Sequence, residues 1–469
     1  MSATTSYDLI VIGSGPAGQK AAIQGAKAGK HVALIEQTRE VGGACVYHGT
    51  IPSKTLRETA LKMVQFLHAT DVFDFRMRDD IKIASLMTRL DKVVRAHGEF
   101  MKEQIKRNGI DRFHGRAQFH SAQEILIRGL DGTSTMLSAP FVVIATGSRP
   151  RVPDNIPIDH ENILDSDSIL SLVYLPKSLT VLGGGVIASE YASIFALLGV
   201  QVTMVDTADR PLKFLDPELT DQFCQAFKET GGQYRGEQKI KTVVWDGFSK
   251  VITSFENGET LESEKMLVAL GRVANIEHLN IQTAGLTPTP RGLISVNEQC
   301  QTTVPNIYAV GDVIGPPSLA SCSMEQGRRA VCHALRLDSG DAPEHIPMGI
   351  YTIPEMSSVG LSEQEAIDKF GSALVGRANF HEIARGQISG MTNGLLKMVA
   401  DSRGEKLLGI HIVGEGATEL IHIGQMGLLH HIDIDHFVEN IFNFPTLAEA
   451  YRVAALDIAK QRKSSKDVF

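Results

Sequence analysis

The segment Asp8-Leu-Ile-Val-Ile-Gly-Ser-Gly-Pro-Ala-Gly18 decides the fold of this chain. Its apolar run shows no polar alternation, which is typical of a parallel strand buried on both faces, and a glycine turn and helix-forming residues follow it. In such a turn Gly13 permits the tight bend, Gly15 lets the backbone approach a pyrophosphate, and Gly18 lets the helix pack closely on the strand. Because the helix N-terminus presents free N–H groups and a positive dipole, the segment predicts a dinucleotide site.

A carboxylate completes this first site. The next strand is expected over His31–Ile35 and ends at Glu36, 23 positions after Gly13. A carboxylate at that place accepts hydrogen bonds from ribose hydroxyls. A lone glycine turn is weak evidence, but strand, turn, helix and distal acid occur here together.

The same pattern occurs a second time. A strand over Leu179–Leu182 leads into Gly183-Gly-Gly-Val-Ile-Ala188, a helix is expected over Glu190–Leu198, and the following strand ends at Asp206. Gly183 and Gly185 take the places of the first two glycines, and Asp206 again lies 23 positions after the first of them. The repeat predicts an α/β fold with two Rossmann-like units.

Three further strand ends fit the same nucleotides. Each of the segments Phe141–Gly147, Met266–Arg272 and Ile307–Asp312 is an apolar run that ends in a small or polar turn. Taken singly, such a run is more often a plain core strand. The cofactor-binding residues predicted from the three together are Thr146, Gly147, Gly271, Arg272, Gly311 and Asp312.

Length and composition exclude several classes of protein. The chain has 469 residues, which favours about three domains. Its formal charge of −8 and lack of a Lys/Arg-rich run argue against a nucleic-acid surface. The five scattered cysteines form no C-x-x-C pair, so we predict no metal site and a reducing compartment. From the sequence we expect a cytoplasmic protein without a signal peptide or a membrane-spanning stretch.

These motifs resemble the FAD/NAD-linked disulfide oxidoreductase superfamily over nearly the whole chain. The resemblance implies an FAD-binding domain in two parts, residues 1–152 and 276–347. It also implies an NAD(P)-binding domain at 153–275 and an α+β dimerisation domain at 348–469. Non-covalent FAD, one per subunit, and a homodimer or larger homo-oligomer follow from it. Lys54, in Gly49-Thr-Ile-Pro-Ser-Lys54, matches a lysine beside the flavin, and Glu190 matches the ion-pair partner of that lysine.

The departures from the superfamily decide the expected reaction. Disulfide reductases carry two thiols spaced C-x4-C, but here Cys45 is followed by Thr50, and a hydroxyl cannot enter thiol–disulfide exchange. They also carry a C-terminal His-Pro-Thr-x-x-Glu, whereas this chain has Phe444-Pro-Thr-Leu-Ala-Glu449. Phenylalanine has no titratable proton, so the acid–base catalyst is missing together with the second thiol. Cys45 is read either as a small apolar residue against the flavin or as a residue that modulates it.

The pattern is similar to one subfamily, the soluble flavin-containing transhydrogenases. The runs that carry this similarity are 49–54, 165–170, 190–195, 349–355 and 444–455. The resemblance implies reversible hydride transfer between NADPH and NAD⁺ through FAD, with Lys54 and Glu190 as the catalytic pair. One alternative is an NAD(P)H diaphorase that passes electrons to a quinone or to oxygen. An alternative of another class is a non-catalytic flavoprotein that senses nucleotide ratios.

The sequence carries opposing indications about whether the second unit binds NAD or NADP. A carboxylate at Asp206 favours the free 2′-hydroxyl of NAD and repels the 2′-phosphate of NADP. The subfamily often carries an arginine two residues later, where this chain has Ala208. The nearby cations are Arg210 and Lys213, and we predict that one of them meets the 2′-phosphate.

Overall fold

The computed structural model describes residues 4–68, 83–129 and 131–466. The strands are β1 (Thr5–Ser6), β2 (Leu9–Ile12), β3 (Val32–Glu36), β4 (Asp111–His114), β5 (Arg116–Phe119), β6 (Glu124–Arg128), β7 (Ser134–Ser138), β8 (Phe141–Ile144), β9 (Ser148–Pro150), β10 (Ile163–Asp165), β11 (Ser178–Leu182), β12 (Gln201–Val205), β13 (Gln233–Arg235), β14 (Ile240–Trp245), β15 (Val251–Phe255), β16 (Thr260–Ser263), β17 (Lys265–Val268), β18 (Arg272–Ala274), β19 (Ile307–Ala309), β20 (Met348–Ile350), β21 (Met356–Gly360), β22 (Leu374–Asn379), β23 (Leu395–Ala400) and β24 (Leu407–Val413). The α-helices are α1 (Pro16–Lys27), α2 (Gly43–Tyr47), α3 (Thr50–His68), α4 (Ile83–Arg107), α5 (Val186–Leu197), α6 (Pro217–Glu229), α7 (Ala320–Ala334), α8 (Glu363–Phe370), α9 (Ala384–Ser389), α10 (Ala417–Leu429), α11 (Ile434–Glu439) and α12 (Glu449–Lys466).

The first unit is a parallel sheet with the order β19-β8-β2-β3-β4. Strand β2 is buried on both faces, as its unbroken apolar sequence predicts. Leu9 and Val11 share a core with helix α1, while Ile10 and Ile12 pack with the antiparallel strands β5 to β7. A glycine turn follows β2, so the turn and the start of α1 lie at the carboxyl edge of the sheet, where α/β folds bind ligands.

The second unit repeats this arrangement. Its parallel sheet has the order β10-β17-β11-β12-β13, with the strand before the glycine turn again at the centre. A three-stranded antiparallel sheet, β14-β15-β16, accompanies it. The prediction of two Rossmann-like units is confirmed. The expected helix start at Glu190 is wrong by four residues: α5 begins at Val186, because the turn ends at Gly185 and the helix follows directly.

The C-terminal part is an α+β domain, as expected. Its antiparallel sheet has the order β20-β21-β24-β23-β22. Helices α10 and α12 cover it, and Ile421, Tyr451 and Ile458 contribute to its core. Within the described residues no helix is long and apolar enough to cross a membrane, and no group of His, Cys, Asp and Glu is placed to hold a metal ion.

A buried ion cluster joins the second unit to the C-terminal domain. Lys397 on β23 is 2% exposed, and its Nζ lies 2.8 Å from Asp216, 2.6 Å from Glu218 and 2.7 Å from Glu363. Arg377 adds a second cation, 2.6 Å from Glu218. Asp216 and Glu218 belong to the N-terminus of α6, so the cluster fixes the second unit against β22 and β23.

This cluster predicts an acid dependence of stability. The Arg377 guanidinium and then the Lys397 ammonium lower the pKa of Glu218 to about 2, from 4.5. A carboxyl group with a depressed folded pKa contributes stability above its unfolded pKa, and the contribution is lost as pH falls from 4.5 towards 2. Glu218→Gln is therefore expected to lower the free energy of unfolding at pH 7 and to match the parent near pH 2.

Urea unfolding between pH 2 and pH 7 measures this difference. The control is Glu262→Gln, which breaks a surface pair with Lys250 whose two side chains are each 52% exposed. Exposed pairs contribute roughly 0–1 kcal/mol, so this variant should follow the parent at every pH. The prediction is contradicted if both variants lose the same free energy of unfolding. It is also contradicted if Glu218→Gln still lowers the free energy of unfolding at pH 2.

Candidate active site

A cleft of about 1990 Å³ runs between the two nucleotide-binding units and reaches the C-terminal domain. Many residues predicted from the sequence line it together: Gly13, Gly15, Glu36, Cys45, Thr50, Lys54, Thr146, Gly147, Glu190, Arg272, Gly311 and Asp312. Other predicted residues lie outside this lining: Gly18, Gly183, Gly185, Asp206, Arg210, Lys213 and Gly271. The residues that line the cleft form one site. Those outside it include the glycine turn of the second nucleotide-binding unit.

The first glycine turn is built as its sequence predicts. Gly13 has a φ of +102°, and a Cβ there would lie 2.3 Å from the Ala145 carbonyl oxygen. A Cβ at Gly18 would lie 1.9 Å from the Gly13 carbonyl oxygen, so α1 packs against the turn only because this residue is glycine. A Cβ at Gly15, the N-cap of α1, would meet nothing within 4 Å. The turn therefore leaves an open cradle at the helix N-terminus, where backbone N–H groups favour an anion.

Glu36 lies beside this cradle with its carboxylate fixed. One oxygen accepts hydrogen bonds from the Ser14 N–H at 2.9 Å and the Ser14 hydroxyl at 2.6 Å. The other oxygen accepts from the Thr38 N–H at 3.0 Å. The side chain that would meet a ribose is thus held at the end of β3, in contact with the turn.

A network of hydrogen bonds lies at the other end of the nucleotide site in the first unit. The Ser148 hydroxyl donates to Asp312 at 2.6 Å and accepts from Arg272 Nε at 2.8 Å. Arg272 also donates to the Ser148 carbonyl oxygen at 2.8 Å. The Gly311 N–H donates to the Gln326 side chain at 2.9 Å. Asp312 is therefore held at the cleft wall, within reach of a polyhydroxyl chain.

The lining of the cleft fits FAD. The Thr146 hydroxyl is buried and has no hydrogen-bond partner among the described residues, although a buried polar group without a partner costs roughly 1–3 kcal/mol. Thr146 lies between Ala145, which packs against the first turn, and Gly147. A cofactor with polar atoms along its length would satisfy this hydroxyl, and the open cradle at Gly15 would accept its pyrophosphate.

A charge pair crosses the cleft between the two units. Lys54 Nζ on α3 lies 2.6 Å from a carboxylate oxygen of Glu190 on α5, and the lysine ammonium is 4.8 Å from the centre of the Tyr351 ring. The other Glu190 oxygen accepts the Tyr351 N–H at 3.0 Å. Glu190 is buried, while a quarter of the Lys54 side chain is exposed. The pair thus holds a positive charge at the cleft surface in a fixed place.

Cys45 lies in the same cleft as a free thiol. Burial raises the pKa of this thiol, although a hydrogen bond from Thr50 and the charge of Lys54 act in the opposite direction. The thiolate is the nucleophile in disulfide exchange, so a raised pKa disfavours that chemistry. Cys45 is thus a partly buried thiol in the wall of the cleft.

The second glycine turn has the same construction as the first. Gly183 has a φ of +116°, and a Cβ there would lie 2.6 Å from the Ala269 carbonyl oxygen. A Cβ at Gly185 would meet nothing within 4 Å. The Asp206 carboxylate lies over the turn, 3.0 Å from the place of a Cβ at Gly184, and accepts the Ala208 N–H at 2.9 Å. This unit therefore presents a second cradle with an acid beside it.

The two cations after Asp206 have different surroundings. Arg210 donates to the Thr220 hydroxyl at 2.8 Å and to the carbonyl oxygens of Lys213 and Leu215 at 3.1 and 3.2 Å, so it closes the loop before α6. Lys213 is exposed and lies 3.0 Å from Asp209. Gly271, with a φ of +100°, passes the chain from β17 to Arg272.

Some residues of the site were not predicted from the sequence. Ser148 holds Asp312, Tyr351 fixes Glu190 by its backbone, and Tyr191 lines the cleft beside Glu190. Tyr191 and Tyr351 carried a signal, because they lie in the runs 190–195 and 349–355 that are similar to the transhydrogenases. The contacts that Ser148 and Tyr351 make join residues more than a hundred positions apart, and no local pattern indicates those contacts.

Comparisons with known proteins agree with this architecture. Residues 7–327 match the model of the pyridine nucleotide-disulphide oxidoreductase family, and residues 346–455 match the dimerisation domain of that family. A soluble pyridine nucleotide transhydrogenase from Mycobacterium bovis is 41% identical over 461 residues, covering 98% of each chain. One from Yersinia pestis is 42% identical, over 96% of this chain and 97% of its own.

Solved structures give the same picture. A HOCl-induced flavoprotein disulfide reductase from Escherichia coli superposes with a TM-score of 0.88 at 26% identity, over 97% of this chain and 99% of its own. LpdA from Mycobacterium tuberculosis superposes with a TM-score of 0.88 at 27% identity, over 96% and 99% of the two chains.

Proposed function

The chain belongs to the pyridine nucleotide-disulphide oxidoreductase family, and from this premise we propose that it transfers hydride reversibly between NADPH and NAD⁺ with FAD as its cofactor. Relatives about 41% identical over nearly the full length carry the name soluble pyridine nucleotide transhydrogenase. The dimerisation domain supports a homo-oligomer. A cytoplasmic location belongs to the same proposal and is consistent with the relatives' description as soluble.

The first unit would hold FAD. The cradle at Gly15 suits the pyrophosphate, Glu36 the adenosine ribose, and Asp312 the ribityl hydroxyls, with Thr146 free to donate or accept. Bound FAD supplies the ring that exchanges hydride with nicotinamide. The second unit, with Gly183, Gly185 and Asp206, would bind the adenosine half of either nucleotide in turn.

One combination of residues carries the proposal. The Lys54–Glu190 pair is intact at the cleft, while Thr50 stands at the second thiol position and Phe444 at that of the C-terminal histidine. The chain thus keeps the groups that orient and stabilise a charged cofactor ring. It lacks the groups that carry electrons on to a disulfide. Lys54 places positive charge where negative charge develops, and Glu190 keeps it there.

A turnover assay tests the proposal. With NADPH and the thionicotinamide analogue of NAD⁺, the purified protein is expected to form the reduced analogue, and the reverse pair is expected to react as well. Glutathione disulfide should not be reduced above background, because the second thiol is absent. A quinone reduced much faster than the analogue would indicate a diaphorase, and no turnover with any acceptor would indicate a nucleotide-sensing flavoprotein. Either result contradicts the proposal.

Recognition of the 2′-phosphate gives a separate prediction. Arg210 is occupied by three hydrogen bonds, whereas Lys213 is exposed and paired only with Asp209 among the described residues, so we expect Lys213 to meet the phosphate. Lys213→Ala should raise the KM for NADPH about 2- to 5-fold and leave that for NADH unchanged, since an exposed pair contributes up to about 1 kcal/mol. Asp206→Asn should narrow the difference between the KM values for NADPH and NADH, because it removes a negative charge that repels the 2′-phosphate.

The control for Lys213 is Arg210→Ala, which should loosen the loop and raise both KM values together. Steady-state assays at low and high salt measure the effect, because an exposed phosphate contact weakens with ionic strength. If the Lys213→Ala variant has the same KM values for NADPH and NADH as the parent, a residue other than Lys213 recognises the 2′-phosphate.

A further inference from the structure

The hydroxyl of Tyr191 is buried in the cleft wall without a partner. The residue is 3% exposed and lines the cleft, yet its oxygen forms no hydrogen bond within the described part of the chain. Tyrosines that bury their ring usually direct the hydroxyl to a polar group, because an unpaired one loses its bonds to water. The geometry therefore leaves a donor in need of an acceptor.

Two of the neighbouring polar groups, Glu190 and Arg272, already have partners. Both carboxylate oxygens of Glu190, the preceding residue, have partners in Lys54 and the Tyr351 N–H. Arg272 directs its Nε and one Nη to Ser148, which in turn holds Asp312. None of these groups forms a hydrogen bond with the Tyr191 hydroxyl, and neither does Asp167, whose charge acts on this residue.

Helix α5 directs this residue towards the first unit. Val186, Ile187, Glu190 and Tyr191 line the cleft from one side of the helix. Glu190 meets Lys54 of the first unit, and Asp167 and Arg272 lie near enough to Tyr191 to influence its ionisation. Burial, followed by the charges of Glu190 and Asp167, raises the pKa of Tyr191, so the phenol stays protonated and can donate.

We propose that the Tyr191 hydroxyl donates a hydrogen bond to a carbonyl oxygen or ring nitrogen of the flavin bound in this cleft. The flavin is favoured over the nicotinamide carboxamide, which offers the same acceptor chemistry, because Arg272 links the neighbourhood of Tyr191 to Ser148 and Asp312 of the FAD site. The inference rests on the proposed function only for FAD as the cofactor. It makes Tyr191 a cofactor-binding residue beside Lys54.

Tyr191→Phe in the full-length protein tests the inference without turnover. The FAD dissociation constant, measured by adding FAD back to apoprotein, should rise about 3- to 10-fold, as the loss of one hydrogen bond predicts. The visible absorption bands of the holoenzyme should shift. The apoprotein should melt at the same or a higher temperature than the parent, because the variant removes an unpaired buried hydroxyl.

Ser189→Ala is the matched control. Ser189 is on the same helix, fully buried and equally without a partner, but it does not line the cleft. Its variant should leave the FAD dissociation constant and the spectrum unchanged. If Tyr191→Phe leaves both unchanged as well, the inference is overturned. If only the KM for both nucleotides rises, the acceptor is the nicotinamide and the flavin assignment is overturned. If the turnover assay fails, the FAD dissociation constant and the absorption spectrum can still be measured and still test the role of Tyr191.

Discussion

Replacement of Lys54 by methionine is expected to lower the rate of hydride transfer between NADPH and NAD⁺ about 100-fold while FAD stays bound. The Nζ of Lys54 lies 2.6 Å from buried Glu190, which is fixed by the Tyr351 N–H, so its charge is held in place before any substrate arrives. Removal of one such preorganised group typically costs about 10²–10³ in rate. Methionine keeps much of the apolar stem, so the loss is electrostatic.

Stopped-flow measurement of the two half-reactions separates the steps. Reduction of the enzyme by NADPH and its reoxidation by NAD⁺ should both slow, because the same charge serves both directions. Lys62→Met is the control: it removes a lysine from the same helix at an exposed position. Equal rates in the Lys54→Met variant and this control would falsify the role of the pair.

The sequence predicted those parts of the site that depend on local structure. A strand, a glycine turn, a helix and a distal acid lie within 30 residues, so Gly13, Gly15 and Glu36 could be placed by spacing alone. The built structure shows why the glycines are needed, since a Cβ at Gly13 or Gly18 would overlap a carbonyl oxygen. Among the three motif glycines the second unit differs at the third: Ala188 stands where the first unit has Gly18, and a Cβ at Gly183 would be an ordinary 3.7 Å from its side chain.

Contacts between distant segments could not be predicted in this way. The bond from Ser148 to Asp312 spans 164 positions and exists because β8 and β19 are neighbours in the sheet. The three bonds of Arg210 depend on the path of the loop before α6, and they tie to that loop a cation that spacing alone offered to the 2′-phosphate. Sequence spacing predicts where a side chain stands along the chain. It does not predict which groups form hydrogen bonds with that side chain in the folded protein.

Two glycine substitutions should separate the two nucleotide sites. Gly15 and Gly185 are N-caps with φ of −63° and −82°, which any residue adopts, and a Cβ at either would meet no protein atom within 4 Å. Valine at either position should therefore leave the fold intact and fill the cradle. Gly15→Val is expected to weaken FAD binding about 100-fold, close to the upper range of 1–3 kcal/mol for overpacking. Gly185→Val should bind FAD as the parent does and raise the KM for both NADPH and NADH by about the same factor.

Each variant is the control for the other, because the same atoms are added at the same point of a duplicated turn. FAD content after gel filtration and the KM for each nucleotide are the measurements, with the melting temperature to verify folding. Loss of FAD from Gly185→Val with retention in Gly15→Val would reverse the assignment of the two units. Retention of FAD and of both KM values in either variant would mean that the pyrophosphate does not lie at that helix N-terminus. The duplicated turns differ little in backbone, so a clean separation of the two effects would show that the residues around each turn select the ligand.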